Sequence, residues 1–162
     1  MKIKNLIRIS SYALLTFTIA ACGSSKSPTS GFIARMEVKE PIEGVCDNNN
    51  VLVMLPFAGN NQVKAVAPKT DEALEKELNS SVAFLQGKTD YKDEGMVGLV
   101  INCKGQMVQC RTSNKTQSPE LDEQIVAVFA QMKNWEAGTY NGKRVDTSVL
   151  YSFTIENGKI SL

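Results

Sequence analysis

The chain has 162 residues and a formal net charge of +1, a length that predicts one domain of the usual roughly 100–200 residues plus a short appendage. Apolar residues at 43% and charged residues at 22% fit a folded globular chain and exclude both a disordered tail and a bundle of membrane spans. The absence of histidine removes Ser-His-Asp and Cys-His catalysis, HExxH zinc chemistry and imidazole pH switching together.

Lys2, Lys4 and Arg8 open the chain, and the apolar run from Ile9 to Ala21 is shorter than the roughly 20 residues a membrane span needs. A signal peptide is expected over residues 1–21. The run closes in Ile19-Ala20-Ala21-Cys22, which resembles the lipobox of bacterial lipoproteins, and the resemblance implies acylation of Cys22 as the mature N-terminus. Three of the 18 Lys and Arg residues precede Cys22, leaving 15 against 17 Asp and Glu, so the mature chain is expected near −2. Without a basic stripe to neutralise phosphates, nucleic acid is not an expected partner. The membrane contact is expected from lipid, each buried methylene contributing about 0.8 kcal/mol. Gly23 rather than Asp follows the cysteine, which by resemblance to Gram-negative lipoproteins implies the outer membrane. Residues 22–31 read as a small, polar tether without the acidic run of surface-exported lipoproteins, so the periplasmic face is expected.

Residues 32–67 are expected to add an N-terminal β-hairpin extension, with Val51 to Leu55 and Val63 to Val66 as arms about a Gly59-Asn60-Asn61 turn. Thr70 precedes Asp71 and Glu72 as a cap, and Leu74, Leu78, Val82 and Leu85 share one face, predicting an amphipathic helix over 71–86. Met96 to Cys103 and Gln106 to Thr112 flank Lys104-Gly105 as a hairpin. Ser118, Pro119, Glu120 and Asp122 start a second helix whose buried stripe is Leu121, Ile125, Val128, Phe129 and Met132, ending near Lys133. Trp135 is expected to pack the end of that helix onto the sheet. Val145, Thr147, Val149, Tyr151, Phe153 and Ile155 then alternate along a long strand, and Asn157-Gly158 turns it into a short return at Lys159–Leu162. The fold class is therefore α+β, a small antiparallel sheet with two helices on one face.

With Cys22 acylated, Cys46, Cys103 and Cys110 allow one intramolecular disulfide at most. Pairing around Lys104-Gly105 sets Cys110 opposite Leu99, about 13 Å along the strand from the position that would face Cys103, beyond disulfide reach. Cys46 is thus the expected partner, bonded to Cys103 or to Cys110. No CxxC pair, glycine-rich phosphate loop or metal spacing occurs, and the carboxylates Asp122 and Glu123 diverge by about 100° on a helix. No enzymatic activity, cofactor or metal is expected.

Residues 97–155, with VGLVINCKGQMVQC, SPELDEQIVAVFAQMKNWEAG and NGKRV, resemble the C-terminal domain of TonB-family proteins, and with the preceding helix the resemblance covers about 68–162. Two departures stand out. Tyr91 is followed by Lys92 where the family often has Tyr-Pro, and Trp135 by Glu136-Ala137-Gly138 where it usually has Pro-Gly. The resemblance implies a protein-binding domain that takes up an extended segment of an outer-membrane transporter as an added strand. It places that contact on Val145, Thr147, Val149, Tyr151, Phe153, Ile155, Lys159 and Ile160. With neither an inner-membrane helix nor a Pro-rich spacer, the expectation is an adaptor lipoprotein detached from energy transduction, bound to a TonB-dependent transporter or another envelope protein. The alternative is a structural lipoprotein that forms a homodimer by pairing two Lys159–Leu162 strands.

Overall fold

The computed structural model describes residues 33–55 and 61–162, so the expected signal peptide, Cys22 and the 22–31 tether lie outside the described residues. Nine strands and two helices follow in chain order: β1 Ala34–Arg35, β2 Leu52–Val53, β3 Gln62–Val63, α1 Asp71–Ser81, β4 Asp93–Ile101, β5 Met107–Asn114, α2 Pro119–Ala130, β6 Thr139–Tyr140, β7 Lys143–Arg144, β8 Thr147–Glu156 and β9 Lys159–Ser161. No helix among the described residues is long and apolar enough to cross a membrane.

The fold is α+β. The main sheet runs β1-β2-β8-β4-β5, with β9 beside the far end of β8, and β3, β6 and β7 form a second small sheet. The main sheet is mixed rather than antiparallel throughout, because β2 lies parallel to the start of β8. The expected hairpin between residues 51–55 and 63–66 does not form. β2 pairs with β1 and β8, while β3 pairs with β6, and most of the expected turn lies outside the described residues. Burial explains the divergence: Val51 and Leu52 are sealed in the protein, a position a hairpin with the exposed Val63 would not provide.

Both helices start as their caps dictate. Thr70 Oγ1 accepts the Ala73 N–H at 3.3 Å, and Ser118 Oγ accepts that of Leu121 at 3.3 Å. α1 stops short of residue 86. Val82 turns out of helical geometry, a single 3₁₀ turn Ala83–Leu85 follows, and the Phe84 N–H donates to Gln124 Oε1 on α2 at 2.9 Å. The tighter turn still buries Val82 and Leu85.

One face of the sheet carries the core. Val97, Leu99 and Ile101 of β4 and Phe153 and Ile155 of β8 meet Leu74 and Leu78 of α1 and Leu121, Ile125 and Phe129 of α2. Each fully buried side chain of this size contributes about 1.5–3 kcal/mol. Trp135 is buried at the end of α2, and its carbonyl lies against Gly105 (φ +80°) so closely that no Cβ would fit there.

Candidate protein-docking edge

β8 is paired with β4 along nine residues, from Thr147↔Ile101 to Ile155↔Asp93, without a shift in register. In such a ladder alternate residues aim their backbone groups at alternate sides. The Leu52 N–H donates to the Asp146 carbonyl at 2.9 Å, which assigns the even-numbered residues of β8 to the side away from β4. The two-residue turn into β9, with Asn157 and Gly158 at φ 54° and 70°, pairs Glu156 with Lys159 and Thr154 with Ser161 on that same side.

β2 therefore covers Thr147 and Ser148, and β9 covers Thr154 to Glu156. Residues 149–153 have no strand on that side among the described residues. By parity the free N–H and C=O groups are those of Leu150 and Ser152. A groove of about 610 Å³ runs beside them, walled by residues 64–71 on the other flank and by Leu162. Leu150, on this unpaired stretch, is 53% exposed, and Val66, which lines the same groove, is 47% exposed.

The expected contact residues occupy a different place in this arrangement. Phe153, Ile155 and Ile160 are buried in the core and Thr147 is sealed, while Val149 and Tyr151 pack against the core from its margin. Val145 lies just before β8, its N–H donating to the Gly138 carbonyl at 2.9 Å. Lys159 is exposed, but its strand is already paired with β8. Ile160 is closed on its outer side as well: its N–H donates to Asn79 Oδ1 at 2.9 Å and its carbonyl accepts from Asn79 Nδ2 at 2.8 Å. The alternation from 145 to 155 marks the core face, and the Leu52–Asp146 bond separately assigns the outward backbone groups to the wet positions between, 150 and 152. Leu150 was the one detectable signal, a large apolar residue on the wet face.

The opposite margin of the sheet is less open to a strand. β5 departs from regular register with β4 at both ends, between Met96/Val97 and Val100/Ile101, and such bulges twist an edge away from pairing.

Asp146, immediately before β8, organises the near end of the edge. Its buried carboxylate accepts the Cys103 N–H at 2.9 Å, the Asp47 N–H at 2.7 Å and the Cys46 N–H at 3.0 and 3.1 Å. Cys46 and Cys103 are joined in a disulfide, and Cys110 is a free thiol. The two sulfurs and a carboxylate oxygen lie within 4.8 Å of one another, a spacing that would suit a metal ion. Here the sulfurs are bonded to each other and both carboxylate oxygens are engaged by N–H groups, so the cluster works as a structural knot. Burial pushes the Cys110 thiol up to about 11.

Comparison with protein-family models, with curated proteins and with solved structures finds no match.

Proposed function

We propose that the chain is a non-catalytic cell-envelope lipoprotein whose TonB-like domain docks a partner protein by strand addition at the open stretch of β8. The observation that carries this reading is the pair of unpartnered backbone positions, Leu150 and Ser152, beside a groove that the exposed Leu150 and Val66 side chains also line. An incoming strand would gain up to four main-chain hydrogen bonds there, with side-chain pockets supplying selectivity. The partner we favour is an outer-membrane transporter, on the strength of the lipobox at Cys22 and the resemblance over 68–162. Self-association through two Lys159–Leu162 strands is disfavoured, because Asn79 occupies both backbone groups of Ile160.

A photo-crosslinking residue in place of Leu150, irradiated in intact envelopes, tests the reading. A specific adduct to an envelope protein is expected, and it should disappear in Ser152→Pro, which removes an outward N–H without touching the β4 ladder. An adduct unaffected by Ser152→Pro, or none, would sink strand addition at this edge.

A further inference from the structure

The open stretch of β8 is closed at both ends by fixed structure. At the near end β2 is held to β8 by the Leu52 N–H on the Asp146 carbonyl, and the segment leading into β2 is tied down by the Cys46–Cys103 disulfide and the Asp146 carboxylate. Asn102 adds a bond from its Nδ2 to the Gly44 carbonyl at 2.8 Å. At the far end the tight turn at Asn157-Gly158 sets β9, Asn79 grips Ile160 from outside, and the Leu162 N–H donates to Glu75 Oε1 at 2.8 Å. Between these stops lie residues 149–153, about 17 Å at 3.4 Å per residue.

A strand added here meets the outward groups of Leu150 and Ser152 and then runs into β2 in one direction and β9 in the other. Its flanks must leave the sheet plane within about a residue on either side. Apolar side chains line the slot, Leu150, Val66, Tyr151 and Leu162 among them.

We infer that the docked segment is a bent loop of a partner protein rather than the tail of a long strand. It has about three to five extended residues bracketed by turns, with aliphatic side chains at alternate positions. This rests on the docking reading above and narrows it. The same stops exclude pairing with a long strand, that of a second copy included.

The test titrates the full-length protein with end-blocked peptides of alternating valine and threonine in three lengths (five, seven and nine residues). A cyclic peptide presenting the same five residues between turns is compared with them. The amide resonances of Leu150 and Ser152 report binding, and those of Ser148 and Thr154 report the two stops. The five-residue peptide is expected to shift Leu150 and Ser152, and lengthening to nine should change its Kd by less than about threefold. The cyclic form should bind at least about tenfold tighter, because its flanks are already bent out of the way. A gain of tenfold or more on lengthening, with Ser148 or Thr154 losing protection, overturns the bounded slot while leaving strand addition standing. A cyclic form that binds no better than the linear one also overturns it. No shift at Leu150 or Ser152 with any peptide overturns both readings.

Discussion

The Asp146 carboxylate accepts the backbone N–H of Cys103 at 2.9 Å and, from a segment a hundred residues away in the chain, that of Cys46 at 3.0 Å. Both half-cystines are thus anchored through their own main chain to one buried charge. Among the described residues the ion pair is Lys69 with Glu77, so no cation answers Asp146 and the N–H groups alone stabilise it. Asp146→Ala would strand three N–H groups, including that of Asp47, at about 1–3 kcal/mol each, and a loss of at least about 3 kcal/mol is expected in urea unfolding. Asp146→Asn keeps one acceptor oxygen and should lose less, about 1–2 kcal/mol. Disulfide mapping after oxidative refolding should also reveal Cys46–Cys110 bonds in the alanine variant, because the carboxylate no longer presents Cys103 to Cys46. Native pairing alone in that variant would assign the choice of partner to the sheet instead.

The disulfide closes a loop with a sequence separation of 57, for which the chain-entropy estimate is about 4 kcal/mol. Reduction should therefore lower overall stability substantially and act first on β2. Ser148, whose N–H the parallel pairing with Leu52 directs to β2, is the reporter. Its amide should exchange at least about tenfold faster in the reduced protein, while Val97 and Leu99 in the middle of β4 stay slow under native conditions. Equal acceleration at all three would mean that the bond supports the whole domain and not β2 in particular.

Much of this architecture was legible because local signals agreed with burial. Ser118-Pro119 marked the start of α2, Asn157-Gly158 marked the turn into β9, and the alternation from Thr147 to Ile155 marked a half-buried strand. The destination of residues 51–55 was not legible. A continuous apolar run reads alike whether it pairs with its sequence neighbour or crosses to a parallel position beside β8, and only burial of Val51 and Leu52 distinguishes them. Asp146 was invisible for a related reason: a lone acidic residue before a strand reads as solvated until segments distant in sequence deliver their N–H groups to it. Which backbone groups of β8 lack a partner was not legible either, since the side-chain pattern of a strand identifies its core face and not the neighbours on its edge.

Asn79 sits on α1 and grips β9 from outside with two hydrogen bonds to Ile160, while its Nδ2 also donates to the Glu75 carbonyl at 2.8 Å. Asn79→Ala should cost about 1–2 kcal/mol and speed exchange of the Ile160 amide, leaving α2 unchanged. It also exposes the outer backbone groups of β9, a new unpaired edge. Concentration-dependent association of this variant in light scattering is therefore expected, and a strictly monomeric Asn79→Ala would show that β9 needs no such guard.

Alkaline pH should weaken the fold through groups that burial keeps protonated. The Cys110 thiol is raised to about 11 by burial, and Tyr91 to about 12, by burial first and then by its hydrogen bond to Asp93 and the nearby acidic charge. For an acid whose folded pKa lies above its unfolded value, stability is whole below the unfolded pKa and is lost as pH rises through the folded one. For Cys110 that window opens near 9 and closes near 11, and for Tyr91 it runs from about 10 to about 12. Urea midpoints should hold steady to about pH 9 and then fall. Cys110→Ala should flatten the fall between 9 and 11 and leave the later part in place. At pH 8 the native thiol should also alkylate about two orders of magnitude more slowly than a free cysteine, because so little thiolate is present. A native-state rate near that of the unfolded protein would place Cys110 in water and remove the basis for the alkaline window.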